Sequence, residues 1–393
     1  MNNNLVLKNT MKVTVSIFIV FLTSSVQAGE ISQWNTDNII TDPGPYTPEL
    51  TYQSSIYNDI FFSQSNGAII WVESDVMAPG MGVVTNDDVD GTNCLMTAGQ
   101  NPIDASVKQC SDPFQTSKRF KLNATSTGTE LDLVFDVSST GGVAEPYRIL
   151  EKFLNDTDFD ISDFVIELGF GLGDDFVPAA ANIGLDFSDI DGNIWAIPVN
   201  TGDTNSKNLD ALFPFGLFGD ADTDPNHDVD GYFDSTDRAR FYLNADRGRI
   251  TSTGISPNYE SVFGSFLSKE DSINGYFWDH DDDNFTDPFL IAHQTELGWF
   301  TLRPDQWWID NGLPVPEKNL LDGTLTTETL DAWAANPDDY NIDTIEDLAN
   351  LNLNYYVTVG DISLWPTYDS LDQTANFTLR IYSYSVIFKN GFE

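Results

Sequence analysis

The sequence predicts a mainly β protein: an antiparallel β-sandwich-like body with two short helices near 327–351 and long acidic loops. Three observations carry this. Apolar residues recur with period two in several runs, which turns one face inward and the other outward. Clusters of Gly, Asn and Asp separate those runs, as turns require. The acids are lopsided: of 61 acidic residues, 14 are Glu and 47 are Asp. Asp favours turns, caps and hard-cation loops over helix interiors.

Taken in order, Leu131, Leu133, Phe135 and Val137 alternate with Asp132, Val134, Asp136 and Ser138. Phe164, Ile166, Leu168 and Phe170 repeat the pattern, and Tyr355, Val357 and Val359 do so again. The last run sets Phe377, Leu379 and Ile381 against Thr378, Arg380 and Tyr382. Helical spacing is scarce. Leu330, Trp333 and Ala334 share one face, and Pro337 ends that run. Ile345, Leu348 and Ala349 share another, with Asp343 or Thr344 placed to cap it.

Charge and composition bound the function. A net charge of −43 argues against nucleic-acid binding, which needs clustered Lys and Arg. It equally disfavours attraction to anionic lipid. An apolar content of 41% is ample for a packed core. At the N-terminus, Lys8 and Lys12 precede an uncharged stretch from Val13 to Leu22, and Val26-Gln27-Ala28 offers a cleavage site. Residues 1–28 therefore read as a signal peptide, since the apolar stretch is far short of the roughly 20 residues that span a bilayer.

Residues 29–393 are expected to form a single integrated β-rich domain, and 205–215 is where a subdivision would fall. No second apolar run reaches spanning length, so the expected location is secreted, cell-surface or periplasmic. In an oxidising compartment Cys94 and Cys110 are expected to pair. Four Asn-x-Ser/Thr triplets begin at Asn123, Asn155, Asn284 and Asn376, and chance explains them in so Asn-rich a chain.

Several ordered segments resemble the choice-of-anchor F family. They are Phe114-Gln-Thr-Ser-Lys-Arg-Phe120, Ile166-Glu-Leu-Gly-Phe-Gly171, Phe213-Pro-Phe-Gly-Leu-Phe-Gly-Asp220 and Gly275-Tyr-Phe-Trp-Asp-His-Asp281. Leu330-Asp-Ala-Trp-Ala-Ala-Asn-Pro337 and Ile345-Glu-Asp-Leu-Ala-Asn-Leu-Asn-Leu-Asn354 complete the set. The resemblance implies an exported bacterial protein from a family with interchangeable C-terminal sorting signals, and it brings no activity with it. The final Ile387-Phe-Lys-Asn-Gly-Phe-Glu393 has no apolar span, basic tail or sortase-type motif, a departure from the anchored pattern.

The strongest chemical signal lies between 220 and 237. With Asn226 at loop position 1, Asp228 and Asp230 fall at 3 and 5 and Gly231 at 6. The Tyr232 carbonyl falls at 7, Asp234 at 9 and Asp237 at 12. That is the ligand register of a twelve-residue calcium loop. Position 1 is Asn rather than Asp, position 12 is Asp rather than Glu, and Pro225 precludes an ordinary entering helix. The loop is thus expected on a β scaffold, with Asp220, Asp222 and Asp224 completing the site or forming another. Carboxylates at this density repel one another unless a cation sits among them. A second candidate, Asp279, Asp281, Asp283 and Asp287, supplies positions 1, 3, 5 and 9 but has Asn284 where the glycine belongs. Asp189-Ile-Asp191-Gly-Asn193 and Asp88-Val-Asp90-Gly91 read as Asp-Gly turns.

No residues are assigned to catalysis. No His-Glu-x-x-His pair or Gly-x-Ser-x-Gly elbow is present, and His227 and His280 sit inside acidic runs. Trp299, Trp307 and Trp308 would stack on sugars if exposed, although core packing is the commoner fate of such rings. The expected function is that of an exported calcium-binding β-sandwich protein with a structural or binding role. A carbohydrate-binding module or lectin is the runner-up, and a polysaccharide-active hydrolase comes third. The sequence does not identify the partner, and an extracellular glycan and a protein both stay open.

Overall fold

The computed structural model describes residues 28–45, 51–72, 78–85, 93–97, 110, 118–126, 130–139, 144, 146–189, 191–195, 199–200, 210–211, 241–255, 265–269, 274–278, 289–295, 298–301, 326–336, 340–344 and 349–385. In chain order its strands begin with β1 (Gly29–Asn35), β2 (Ile39–Thr41), β3 (Thr51–Tyr57), β4 (Ser65–Val72), β5 (Gly82–Val84), β6 (Asn93–Met96) and β7 (Phe120–Ala124). There follow β8 (Glu130–Ser139), β9 (Pro146–Asn155), β10 (Ile161–Phe170), β11 (Val177–Pro178), β12 (Leu185–Ser188), β13 (Val199–Asn200) and β14 (Asp210–Ala211). The rest are β15 (Phe241–Asp246), β16 (Arg249–Ile255), β17 (Asn274–Trp278), β18 (Phe289–Thr295), β19 (Gly298–Thr301), β20 (Tyr340–Thr344), β21 (Asn350–Val359) and β22 (Thr374–Ser385).

Two large sheets make the body. The first runs β1-β8-β22-β10-β16-β15-β13, with β11 paired to the end of β10. The second runs β12-β21-β9-β7-β4-β3-β2, with β14 on β21 and the β5–β6 pair joined to β9. A third sheet, β19-β18-β17-β20, is separate in its pairing. The predicted alternation sets the inner face of the first sheet. Leu133 lies opposite Leu379, and Leu379 opposite Leu168. Phe135 and Phe377 are paired, with ring centroids 5.3 Å apart. Tyr147, Ile149, Phe153, Leu353 and Val357 face them from the second sheet, and all belong to one continuous apolar cluster. Each such side chain, fully buried, contributes about 1.5–3 kcal/mol. At the β1 bulge, the Ile31 N–H donates across this core to Tyr147 Oη at 3.0 Å, tying one sheet to the other.

Among the described residues, pairing is antiparallel with two exceptions: β6 and β7 both run parallel to β9. The chain leaves β7, crosses to the first sheet as β8 and returns as β9. Two crossings restore its direction, so β7 and β9 meet in parallel without a hairpin.

One α-helix, α1 (Thr327–Ala334), is present among the described residues. Thr326 caps it, its Oγ1 accepting from the Thr329 N–H at 3.2 Å, and Trp333 is buried. The second predicted helix is corrected. Asp343 and Thr344, its expected caps, lie in β20, and Asn350 opens β21. Residues 345–348 lie outside the described residues.

Cys94 and Cys110 form the predicted disulfide and pack with Met96 and Leu150 against the second sheet. The bridge closes a separation of 16 residues. Its removal in Cys94→Ser/Cys110→Ser should lower unfolding free energy by roughly 3 kcal/mol in a urea titration. An unchanged midpoint would show that the loop gains nothing from closure. Two of the Asn-x-Ser/Thr triplets are structural. Asn155 is fully buried, and its Nδ2 donates to the carbonyls of Phe159, Phe266 and Leu267. Asn123 is buried and donates to Asp156 at 2.7 Å. Among the described residues no helix is long and apolar enough to cross a membrane.

Candidate functional site

The outer face of the first sheet carries a row of alternating charge. Asp132 on β8 lies opposite Arg380 on β22, Arg380 opposite Glu167 on β10, Glu167 opposite Arg249 on β16, and Arg249 opposite Asp246 on β15. Opposed charges at directly paired positions stabilise a sheet. One end of the row is sealed from water: the Asp132 side chain has no exposure and that of Arg380 has 9%. Arg380 grips Asp132 through two bonds, Nε to Oδ1 and Nη2 to Oδ2, both 2.7 Å. Burial pushes the Asp132 carboxyl upward, while Arg380 and the Gly173 N–H pull it back.

The cover over this pair is the segment after β10. The Gly173 N–H donates to Asp132 Oδ2 at 2.8 Å, and Arg380 Nη2 donates to the Gly173 carbonyl at 2.8 Å. Phe176 lays its ring 3.9 Å from the guanidinium carbon, a cation–π contact. Thr378 Oγ1 donates to the Gly171 carbonyl at 2.7 Å. Gly173 has φ +52°, and a Cβ there would stand 2.5 Å from the Asn58 carbonyl oxygen. Glycine is therefore required where this segment meets the β3–β4 loop.

Between those two segments lies an open cleft of about 780 Å³. Its floor is the cross-strand row Asn35, Val134 and Thr378, with Asn376 beside it. One wall is Gly171–Asp175, and the other combines the β1–β2 turn with the β3–β4 loop. Amides fasten the second wall: Asn38 Nδ2 donates to the carbonyls of Tyr57 and Asp132, and Asn58 and Asn66 both donate to the Glu130 carbonyl. Asp59 Oδ1 accepts from the backbone of Phe61 and Ser63 at 2.7 and 3.3 Å. Phe62 is held at φ +54°, a strained conformation for a bulky residue, with its ring edge-on to Tyr57. The loop so fixed leaves Ile60 61% and Phe61 82% exposed.

Two acceptors at this wall have no hydrogen-bond partner, Asn38 Oδ1 and Asn58 Oδ1. Asn38 is fully buried, which makes an unmet acceptor costly. Asp37, Asp59, Glu130, Asp174 and Asp175 also line the cleft, and no described Lys, Arg or His does. The cleft offers the exposed carboxylates of Asp174 and Asp175 and the amides of Gln64 and Asn376 beside an exposed aromatic, while the two unmet amide oxygens are buried behind its wall.

The calcium register at Asn226, Asp228, Asp230, Tyr232, Asp234 and Asp237, with Asp220, Asp222 and Asp224, lies outside the described residues. So do Asp279, Asp281, Asp283 and Asp287, together with Trp307, Trp308, His227 and His280. Among the described residues no group of three or more His, Cys, Asp or Glu side chains is placed to hold a metal. The Asp189 turn is as expected. Its Oδ1 accepts from the Asp191 and Asn193 N–H groups and its Oδ2 from Asn193 Nδ2, with Gly192 at φ +76°. Asp88 to Gly91 lies outside the described residues. Of the tryptophans, Trp34, Trp71, Trp333 and Trp365 are buried.

Sequence reasoning missed the cleft altogether. The available signal was Ile60-Phe61-Phe62, three consecutive apolar residues between two strand patterns. No family model, curated protein or solved structure matches the chain.

Proposed function

We propose that this chain is an exported, calcium-stabilised β-sandwich protein of the choice-of-anchor F type that acts by binding. The observation that carries the binding role is the cleft on the outer face of the first sheet. Three loops converge there, one is strained, and it presents Phe61 to solvent. Strained backbone concentrates where function demands a fixed geometry. Export is supported by the signal-like N-terminus and by the disulfide. Calcium is supported by the ligand register of residues 226–237 and by the charge of −43, which a bound cation would offset.

Calcium is tested on protein stripped with chelator and then titrated separately with calcium and magnesium. An ion that binds the folded state alone stabilises it by about 2.7 kcal/mol at a hundredfold excess over Kd. A calcium-specific rise in thermal midpoint is expected, and Asp228→Ala/Asp230→Ala should abolish it. No rise, or equal rises with both ions, would remove calcium from the proposal and leave the cleft untouched.

A further inference from the structure

We infer that the outer face of the second sheet carries a site for a tetrahedral oxyanion, a phosphate or sulfate group, held between Arg119 and Arg148. This site is separate from the cleft and does not depend on it. Strand alternation sets its place. On β9, Tyr147, Ile149 and Phe153 belong to the core, so Arg148 and Lys152 project from the opposite face, as Leu150 does against the disulfide. On β7, Phe120 and Leu122 are core residues, so Lys121 projects outward, with Arg119 just ahead of the strand. The parallel register sets Lys121 beside Lys152 and Phe120 beside Glu151, which brings Arg119 alongside Leu150, between Arg148 and Lys152. Four cations thus share one patch, although like charges at opposed positions destabilise a sheet.

In a chain with 61 acids against 18 Lys and Arg, each arginine has carboxylates to choose from. Arg247, Arg249 and Arg380 are ion-paired, with Asp186, Glu167 and Asp132 at 3.7, 3.2 and 2.7 Å. Among the described residues, Arg119 and Arg148 have neither an ion-pair nor a hydrogen-bond partner, and they are neighbours. Arg148 Nε is sealed from water without an acceptor; it cannot meet a ligand, so its Nη pair would do so. Surrounding protein and the Arg148 charge both disfavour the charged form of Arg119. An anion between the two would relieve the repulsion. Tyr356, opposite Arg148 on β21, adds a hydroxyl donor that feels the Arg148 charge. One guanidinium fork already satisfies the two oxygens of a carboxylate, whereas two forks and a hydroxyl match the larger oxygen set of phosphate or sulfate.

The experiment is calorimetric titration of the folded protein with inorganic phosphate, inorganic sulfate, glucose 6-phosphate and galacturonate, at an ionic strength held constant with sodium chloride so that screening is the same throughout. Phosphate and sulfate should bind about tenfold tighter than galacturonate. Arg148→Lys keeps the charge but loses the fork and should weaken binding about tenfold. Arg119→Gln should weaken it by a similar factor and, without anion, should melt at or above the wild-type temperature, because the repulsion is gone. Arg249→Gln removes the same charge from the outer face of the first sheet and should leave binding unchanged. Tighter binding of glucose 6-phosphate than of inorganic phosphate would identify an ester as the source, and the reverse would identify the free ion.

Anion binding that is equal in wild type, Arg148→Lys and Arg119→Gln would overturn the inference as diffuse association. Galacturonate binding as tight as that of sulfate would overturn the tetrahedral assignment. Silence with all four probes would leave the two arginines as solvated cations and remove the site.

Discussion

Glu151→Gln is expected to raise stability at pH 8 while leaving it at or slightly below wild type at pH 5. Glu151 lies on β9 among the residues that face the core, and it is fully buried. Its neighbours in register are Leu353 on β21 and Phe120 on β7, both buried and apolar. Its polar contact is the Tyr355 hydroxyl, which donates to Oε2 at 3.0 Å, and Oε1 has no partner. Burial in such surroundings penalises the charged form and lifts the carboxyl from 4.5 to about 8, against the smaller pull of Tyr355. The same contact and burial push the Tyr355 hydroxyl well above its ordinary value.

The direction of the pH effect follows from proton counting. Between 4.5 and about 8 the folded state holds a proton that the unfolded chain has released. Folding stability therefore falls as pH rises through that window, by about 1.4 kcal/mol per unit. Over the whole window the loss approaches about 5 kcal/mol. Gln has nearly the same shape and does not titrate, so the variant escapes this loss. It adds an unpartnered N–H donor, which costs about 1–3 kcal/mol at every pH and sets its small deficit at pH 5. The double variant Glu151→Leu/Tyr355→Phe removes both polar groups and should be flat over the same range. Urea unfolding at unit pH intervals from 5 to 8 reads this directly. Parallel profiles for wild type and Glu151→Gln would mean that the carboxyl is ionised in the folded protein, contrary to its burial.

The contrast between Glu151 and its surroundings also shows what the sequence could reveal. β8, β10, β21 and β22 were legible because each has one face in the core and the other mostly polar, so period two survives in the letters. β9 was not. In Tyr147-Arg-Ile-Leu-Glu-Lys-Phe-Leu154 the inward residues include Glu151, while Leu150 packs outward against the disulfide. A strand covered on both sides loses its alternation. Asp132 misled in the opposite way. It occupies an outward position, where an acid reads as solvated, yet Gly171–Phe176 covers it from far along the chain. The predicted second helix failed because Ile345, Leu348 and Ala349 make too short a pattern to distinguish helix from strand. The cleft needs 35–38, 58–66 and 171–175 together, a convergence that no local pattern encodes. The calcium register is the reverse case, fully legible as spacing but lying outside the described residues.

Arg380→Met is expected to cost about 3–5 kcal/mol, because it strands the Asp132 carboxylate in a dry site. The informative variant is the double, Asp132→Leu/Arg380→Met. Replacing a buried pair by apolar groups of similar size is commonly neutral or stabilising, so the double should recover most of the loss and be far more stable than the sum of its parts. It should not recover the cleft. The Gly173 N–H and carbonyl are held by Asp132 Oδ2 and Arg380 Nη2, and Leu and Met offer neither an acceptor nor a donor. The wall carrying Asp174 and Asp175 would then be tied down by the Thr378 bond to Gly171 alone of the side-chain contacts described above. Hydrogen exchange at the Gly173 amide should accelerate in the double variant even though the fold is intact. The pair would thus serve the position of the cleft wall more than the stability of the sheet. A double variant with wild-type exchange at Gly173 would overturn that assignment. So would a single Arg380→Met that unfolds with the wild-type midpoint, since the carboxylate would then have found water where the structure leaves it none.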